Sequence, residues 1–311
     1  MTKHPLVITT SWDDGHPSDR RLAERLLHHG LSGTFYVPRS FGDRTTIDPS
    51  EYVGLGDSIE VGAHTLRHVV LTDESRESAR DEITASKAWI EDRTGRACPM
   101  FCPPCGKFNA GHLRDAEAAG YTAVRTVEGW SLDRPRPSRF GRLRVLPTSI
   151  QAFPNPTVGN LRNLAKRRAL RGLGLWARFG RGRTWTHALD ALLAHGLRRS
   201  GVLHLWGHSW ELDEAELWGA LESTLAKLGR VVAEGKALTM TNGQLAQSAA
   251  TEHLARGNRA HAPVPAIPTP NGTAVPIAHT EGTRIPAENV WTAARSRTSL
   301  DGNSSSSSVR S

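Results

Sequence analysis

Five side chains of this 311-residue chain have types and positions suited to hydrolysis. They are the adjacent acids Asp13 and Asp14 in "TTSWDDGHPSD", His64 and His68 in "GAHTLRH", and His208 in "LHLWGH". Neighbouring residues on a strand point to opposite faces, so the two acids cannot be one surface feature repeated. Two imidazoles four apart lie on one face of a helical turn or bracket a strand-to-helix junction, and either way can reach one metal ion. One carboxylate added to them makes a two-histidine, one-carboxylate set with open positions, which suits a catalytic metal, zinc first. The other carboxylate is then available to take a proton from water at that metal. The cation also relieves the repulsion between the two acids. Taken alone, an Asp-Asp-Gly stretch is as well explained by an Asx-type turn leading into the helix after Pro17, and an isolated H-x3-H pair is a weak signal.

Elements must carry these groups to one place. Eight apolar, β-rich runs alternate with helix-like stretches: "PLVITTSW", "GTFYVP", "SIEVGAHT", "MFCP", "TAVRTV", "LRVLPT", "VLHLWGH" and "ALTMT". Amphipathic helices are predicted over Asp19–His29, Glu74–Thr94 and Glu214–Glu234; in the second, Ala79, Ile83, Ser86 and Ile90 share one face. Strand-helix alternation repeated this often predicts an α/β fold of about seven to eight parallel strands closed into a barrel, with an open doubly wound sheet as the competing architecture. Asp13, Asp14, His64 and His68, and His208 all fall at or just past the C-terminal ends of predicted strands, which in a parallel barrel converge on one mouth.

The remaining composition bounds the setting. Hydrophobic residues at 38% and charged residues at 23% fit a globular domain, placed at residues 1–245 with a basic helical insertion at about 157–183. From about residue 246 prolines and then serines dominate, and a disordered tail is expected over 246–311. The opening apolar run is too short for a secretory signal and no run is long enough to span a membrane, so a cytoplasmic protein is expected. A formal charge of +8 suggests anionic partners only weakly; no nucleic-acid motif and no obligate protein partner is evident. Residues 162–183 carry eight Arg and Lys without an acid, beside Leu161, Leu164, Leu173 and Trp176. They read as a solvated insertion, with an anionic membrane surface or a phosphorylated substrate as alternatives.

The segments "TSWDDG", "HTLRH", "FCPPCGK" and "LHLWGH", in this order, resemble the NodB-homology polysaccharide deacetylases, carbohydrate esterase family 4, over roughly residues 5 to 245. The resemblance implies a distorted (β/α) barrel that removes acetyl groups from N-acetylated sugars. It implies Asp13 as catalytic base, Asp14, His64 and His68 as ligands of Zn2+ or another divalent ion such as Co2+ or Mn2+, and His208 as general acid. The third motif departs from the family's Arg-any-Pro-aromatic-Gly, reading Cys102, Pro103, Pro104, Cys105, Gly106. The backbone N–H of Cys105 still suits an oxyanion, whereas the arginine that orients the base is missing and Lys107 is the nearest replacement cation. Asp133, or Glu128, is expected to orient His208, and Trp206 and Trp210 to form a sugar-stacking wall.

Two other readings compete. Cys98, Cys102 and Cys105 have the C-x3-C-x2-C spacing that resembles radical S-adenosylmethionine enzymes with an iron–sulfur cluster. With the family's arginine gone, the barrel is also readable as a catalytically inactive carbohydrate- or membrane-binding module.

Overall fold

Leu6–Asp13 (β1) is buried along its whole length, because it alternates between two different neighbours. Ile8 and Trp12 pack outward against leucines of the surrounding helices. Val7, Thr9, Ser11 and Asp13 point the other way, into a barrel interior. There Thr9 Oγ1 meets Asn242 and Ser11 Oγ lies 2.8 Å from His204 Nε2. A strand with an apolar outer face and a hydroxyl-rich inner one is what "LVITTSWD" encodes.

The computed structural model describes residues 4–139, 141–154, 170–180 and 184–260. Its single sheet has ten strands: β1, Gly33–Val37 (β2), Ile59–Ala63 (β3), Met100–Phe101 (β4), Ala123–Arg125 (β5), Arg136–Pro137 (β6), Arg144–Leu146 (β7), Ile150–Gln151 (β8), Gly201–His208 (β9) and Ala237–Thr239 (β10). The order is β6-β7-β5-β4-β3-β2-β1-β9-β8, parallel throughout except for the antiparallel β6–β7 pair. All eight predicted runs are strands; β6 and β8, at two residues each, carry no pattern long enough to read.

β8 ends this order and β7 is next to last at the other side, yet only Pro147–Ser149 separate them in the chain. Three residues span little more than a strand spacing or two, so the sheet must curl until its ends meet. The ring is thus closed by chain and by loop bonds such as Trp130 N–H to Ser149 O and Ser149 N–H to His204 O. On its other side β1 divides: β10 pairs with Leu6–Ile8, while β2 pairs with Thr10–Asp13. That split edge and the chain-made seam distort the barrel. The open sheet is not formed.

Helices Asp19–His28 (α1), Arg76–Thr94 (α2), Ala110–Ala118 (α3), Leu170–Leu175 (α4), Trp185–Arg199 (α5), Ser209–Glu214 (α6), Trp218–Ala233 (α7) and Asn242–Ala260 (α8) follow the strands. On α2 the predicted stripe Ala79, Ile83, Ser86 and Ile90 is buried as expected. α8 corrects the boundary at 245: it runs on to Ala260, and Leu245, Ala246 and Ala249 are buried. Leu245 and Ala246 join Val7, Tyr36, Met100 and Val202 in one buried apolar cluster. Residues 261–311, which include most of the expected tail, lie outside the described residues.

Of the basic insertion, α4 and a π-turn at Trp176–Gly180 are described. Trp176 is buried, and Leu173 and Phe179 pack against the main core. This corrects the membrane alternative in part, since two apolar residues assigned to a lipid-facing side, Leu173 and Trp176, are spent on the protein itself. Leu161 and Leu164 lie outside the described residues. Among the described residues no helix is long and apolar enough to cross a membrane.

The buried polar interior has a consequence for acid stability. Burial, aided by the charge of Arg125, pulls the His204 imidazole down to about 3, so it is neutral in the fold. The unfolded chain takes up that proton near the ordinary value of about 6.5. Native stability is therefore full above that pH and is lost as pH falls toward 3, by about 1.4 kcal/mol per unit. His204→Gln is expected to flatten the pH dependence of the urea unfolding midpoint between pH 6.5 and 4; an unchanged slope would contradict this origin.

Candidate metal and catalytic site

The last residue of β1, Asp13, sits in register between Tyr36 of β2 and His208 of β9. The next two residues leave strand geometry together. Asp14 has φ 81° and Gly15 φ 62°, both left-handed. A Cβ at Gly15 would lie 2.7 Å from Val37 Cγ1, so the turn needs glycine twice over. This turn separates the two acids: Asp13 keeps the inward direction of the strand, and Asp14 swings across the mouth.

His64 follows β3, and its Nδ1 lies 2.7 Å from Cys102 O, which directs Nε2 into the mouth. The loop beyond it is fixed by buried Glu82 of α2, whose Oε2 accepts both the Leu66 and the Arg67 N–H. That clamp holds His68 in a left-handed conformation with φ 54°. Its Nε2 comes 3.0 Å from Asp14 Oδ1, and His64 Nε2 comes 3.5 Å from the same oxygen. Although so close, Asp14 Oδ1 is a buried oxygen with no aligned hydrogen bond. A buried acceptor facing two ring nitrogens, with all three atoms within 4.8 Å of one another, is a donor set that fits a divalent cation. Burial pushes the Asp14 carboxyl up, but its contacts with His64 and His68 outweigh this and hold it well below the ordinary range, ionised. Asp14 Oδ2 accepts from Trp210 Nε1 at 2.9 Å.

The buried ion pair beside it contains a residue that the sequence motifs did not single out. Arg125, at the end of β5, is fully buried and donates from Nη2 to Asp13 Oδ1. Its guanidinium lies 5.0 Å from the Tyr36 ring and 5.1 Å from that of Trp206. The cation absent from the third motif has thus moved one strand over, and buried Cys102 occupies the space after β4. Burial raises the Cys102 thiol, which keeps it protonated. The expectation for Lys107 is corrected: its side chain is exposed and makes no ion pair with Asp13. The signal that pointed to Arg125 was a charge inside the apolar run "TAVRTV", at a strand's C-terminal end.

His208 ends β9 with Nε2 3.9 Å from Asp14 Oδ2. Its Nδ1 lies 2.7 Å from Glu211 Oε2, in the first turn of α6. This corrects the expectation for Asp133, which is 56% exposed and faces Arg171 at 3.7 Å, while Glu128 bonds Arg136. An acid three residues on, held by the same short helix, reaches the imidazole at lower entropic cost than one from a distant loop. Burial disfavours the His208 cation, but Glu211 and the Asp13 and Asp14 charges prevail and raise its pKa.

Trp206 and Trp210 flank His208, with ring centroids 5.7 and 5.5 Å away. Arg44 covers the Trp210 ring at 4.0 Å, so that indole is already stacked. Cys105 is exposed with φ 55°, in a turn where a Cβ on Gly106 would run into Val127. The cysteines give the iron–sulfur reading no support: Cys98 and Cys102 are buried and Cys105 is exposed. Cys98 and Cys102 lie in separate apolar clusters, their thiols directed at Met100 O and Pro103 O.

Residues 1–124 match the family model described as polysaccharide deacetylase. The polysaccharide deacetylase homologue YxkH of Bacillus subtilis (strain 168) is 23% identical over 144 residues, 45% of this chain and 52% of that protein. The chain thus spans about half the length of that relative. A crystal structure of a polysaccharide deacetylase homologue from Mycobacterium smegmatis superposes with TM-score 0.59 at 16% identity, covering 81% of this chain and 93% of that one. It shares the fold.

A buried carboxylate depends on its partner. Arg125→Met, which strands the Asp13 charge, is expected to destabilise by about 3–5 kcal/mol in urea unfolding. The double variant Asp13→Asn/Arg125→Met should recover most of the loss. Equal losses in the single and double variants would mean that packing, rather than the charge, dominates.

Proposed function

We propose, from the match of residues 1–124 to the polysaccharide deacetylase family model and from the geometry of the site, that the chain hydrolyses the amide of an N-acetylated sugar with the aid of a divalent metal. The observation that carries this reading is the meeting of Asp14, His64 and His68 beside an independently held Asp13. Asp14, His64 and His68 would hold Zn2+, or a similar ion such as Co2+ or Mn2+, which when bound polarises a carbonyl and acidifies water.

The protein's own groups do the rest. Arg125 holds and aims Asp13, so that its carboxylate takes the proton of the attacking water. The Cys105 N–H is the donor for the oxyanion of the tetrahedral intermediate. Glu211 binds Nδ1 of His208 and leaves Nε2 to protonate the departing nitrogen. An amine leaves poorly unless protonated, so this step is the demanding one. Trp206 lines the sugar beside His208. An inactive binding module gains nothing from a base held by a buried arginine or from an acid held by a buried glutamate. Those two supports favour turnover.

Acetate release from N-acetylated oligosaccharides by the full chain tests this. Release is expected, with loss on chelation and recovery on adding Zn2+, Co2+ or Mn2+. His208→Gln should lower kcat by about 10²- to 10⁴-fold, and Glu211→Gln by about tenfold. Turnover indifferent to both substitutions would refute the roles given to them.

A further inference from the structure

We propose that Arg44 forms an anion-binding subsite at the rim of this site, so that the preferred substrate carries a carboxylate or phosphate next to its acetylated amine. This rests on the deacetylase reading only for the word substrate; the subsite itself rests on geometry. The Arg44 guanidinium lies 4.0 Å from the Trp210 ring and 5.3 Å from that of Phe41. Both aromatics touch the candidate metal ligands, Trp210 through its bond to Asp14 and Phe41 by stacking on His68 at 3.7 Å. Arg44 is thus two contacts from the reacting centre along two separate routes.

The loop that carries it is built onto the site. Arg44 N–H bonds Phe41 O, Thr46 Oγ1 bonds Arg39 O, and the N–H of buried Ile47 bonds the O of Gly15, in the turn that aims Asp14. The guanidinium is therefore pre-placed. Among the described residues no carboxylate pairs with it, although Asp43 is its neighbour in the chain. Several other exposed arginines do have acids, as Arg20 has Glu24, Arg67 has Glu82 and Arg93 has Asp48. A guanidinium stacked on one aromatic face still presents its edge of N–H groups, whose fork matches a carboxylate or phosphate. Stacking on Trp210 aims that edge without using it. The chain's formal charge of +8 favours anionic ligands in the same sense.

Calorimetric binding of three sugars to the full chain at low salt tests the subsite: N-acetylglucosamine, its 6-phosphate, and N-acetylglucosaminuronic acid. The phosphate, the carboxylate or both should bind about tenfold more tightly than the neutral sugar, the better one naming the group recognised. Arg44→Gln should abolish the difference and Arg44→Lys should keep part of it, since a point charge lacks the fork. Raised salt should shrink the preference. Equal affinities for the three sugars, no binding of either anion, or a preference that survives Arg44→Gln would overturn the proposal. Acetate release read on the same samples separates the two ideas. An anion preference without acetate from any sugar refutes the deacetylase and leaves the subsite standing.

Discussion

A carboxylate inside a barrel is costly unless a cation meets it, and the pair formed by Asp13 and Arg125 answers that cost at the centre of this fold. Both are buried, and both sit at C-terminal strand ends, on β1 and β5. The pair constrains the barrel's cross-section, because strands with three others between them in the sheet must curl until their end residues touch. The aromatic rings of Tyr36 and Trp206 bound the guanidinium from β2 and β9. Four strands thus contribute to one charge pair, and the mouth cannot open without breaking it.

The second constraint is a direction. A continuing strand would send Asp14 outward, into the layer where Trp12 packs. The left-handed turn at Asp14 and Gly15 turns it across the mouth instead. Backbone conformations of this kind are uncommon outside glycine and persist only where surroundings hold them. Here the Asp14 N–H to Tyr36 O bond, the Gly15 O to Ile47 N–H bond and the indole of Trp210 do so. His68, also left-handed, is held by the two N–H groups that converge on Glu82. The site is two strained loops, each anchored by a buried acceptor.

The interior beneath is graded. Val7, Val202, Leu245 and Ala246 cluster in the interior; Thr9, Ser11, His204 and Asn242 form a polar layer, to which Tyr36 reaches from the level of Asp13; the charged groups stand at the top. Thr9 bonds Asn242, Asn242 bonds Tyr36 and Ser11 lies 2.8 Å from His204 Nε2, so the charges above rest on a matrix already rich in dipoles. Exposed Arg44, clamped between two aromatics, extends the same positive character to the rim.

The strands, three of the long helices and the pairs Asp13–Asp14 and His64–His68 were legible in the sequence, because periodicity and short-range spacing are local properties; Asp14 as the acid that joins the histidines came from the family resemblance alone. The strand run "TTSWDDG" and the pair in "HTLRH" each carry their geometry within a few residues. The partners of Asp13 and His208 were not legible. Arg125 lies 112 residues from Asp13 and follows no motif spacing, so the fold alone brings the two together. Glu211 was near at hand, three residues past His208, but only the short helix that begins at Ser209 makes that spacing a contact. Lys107 and Asp133 looked suitable by type and ended in solvent. Residue types and local spacing determine which groups are able to ligate or transfer protons. Which cation balances which buried acid is decided by strand order and barrel closure, since a charge pair in a low-dielectric interior depends on distance in space and not on distance along the chain.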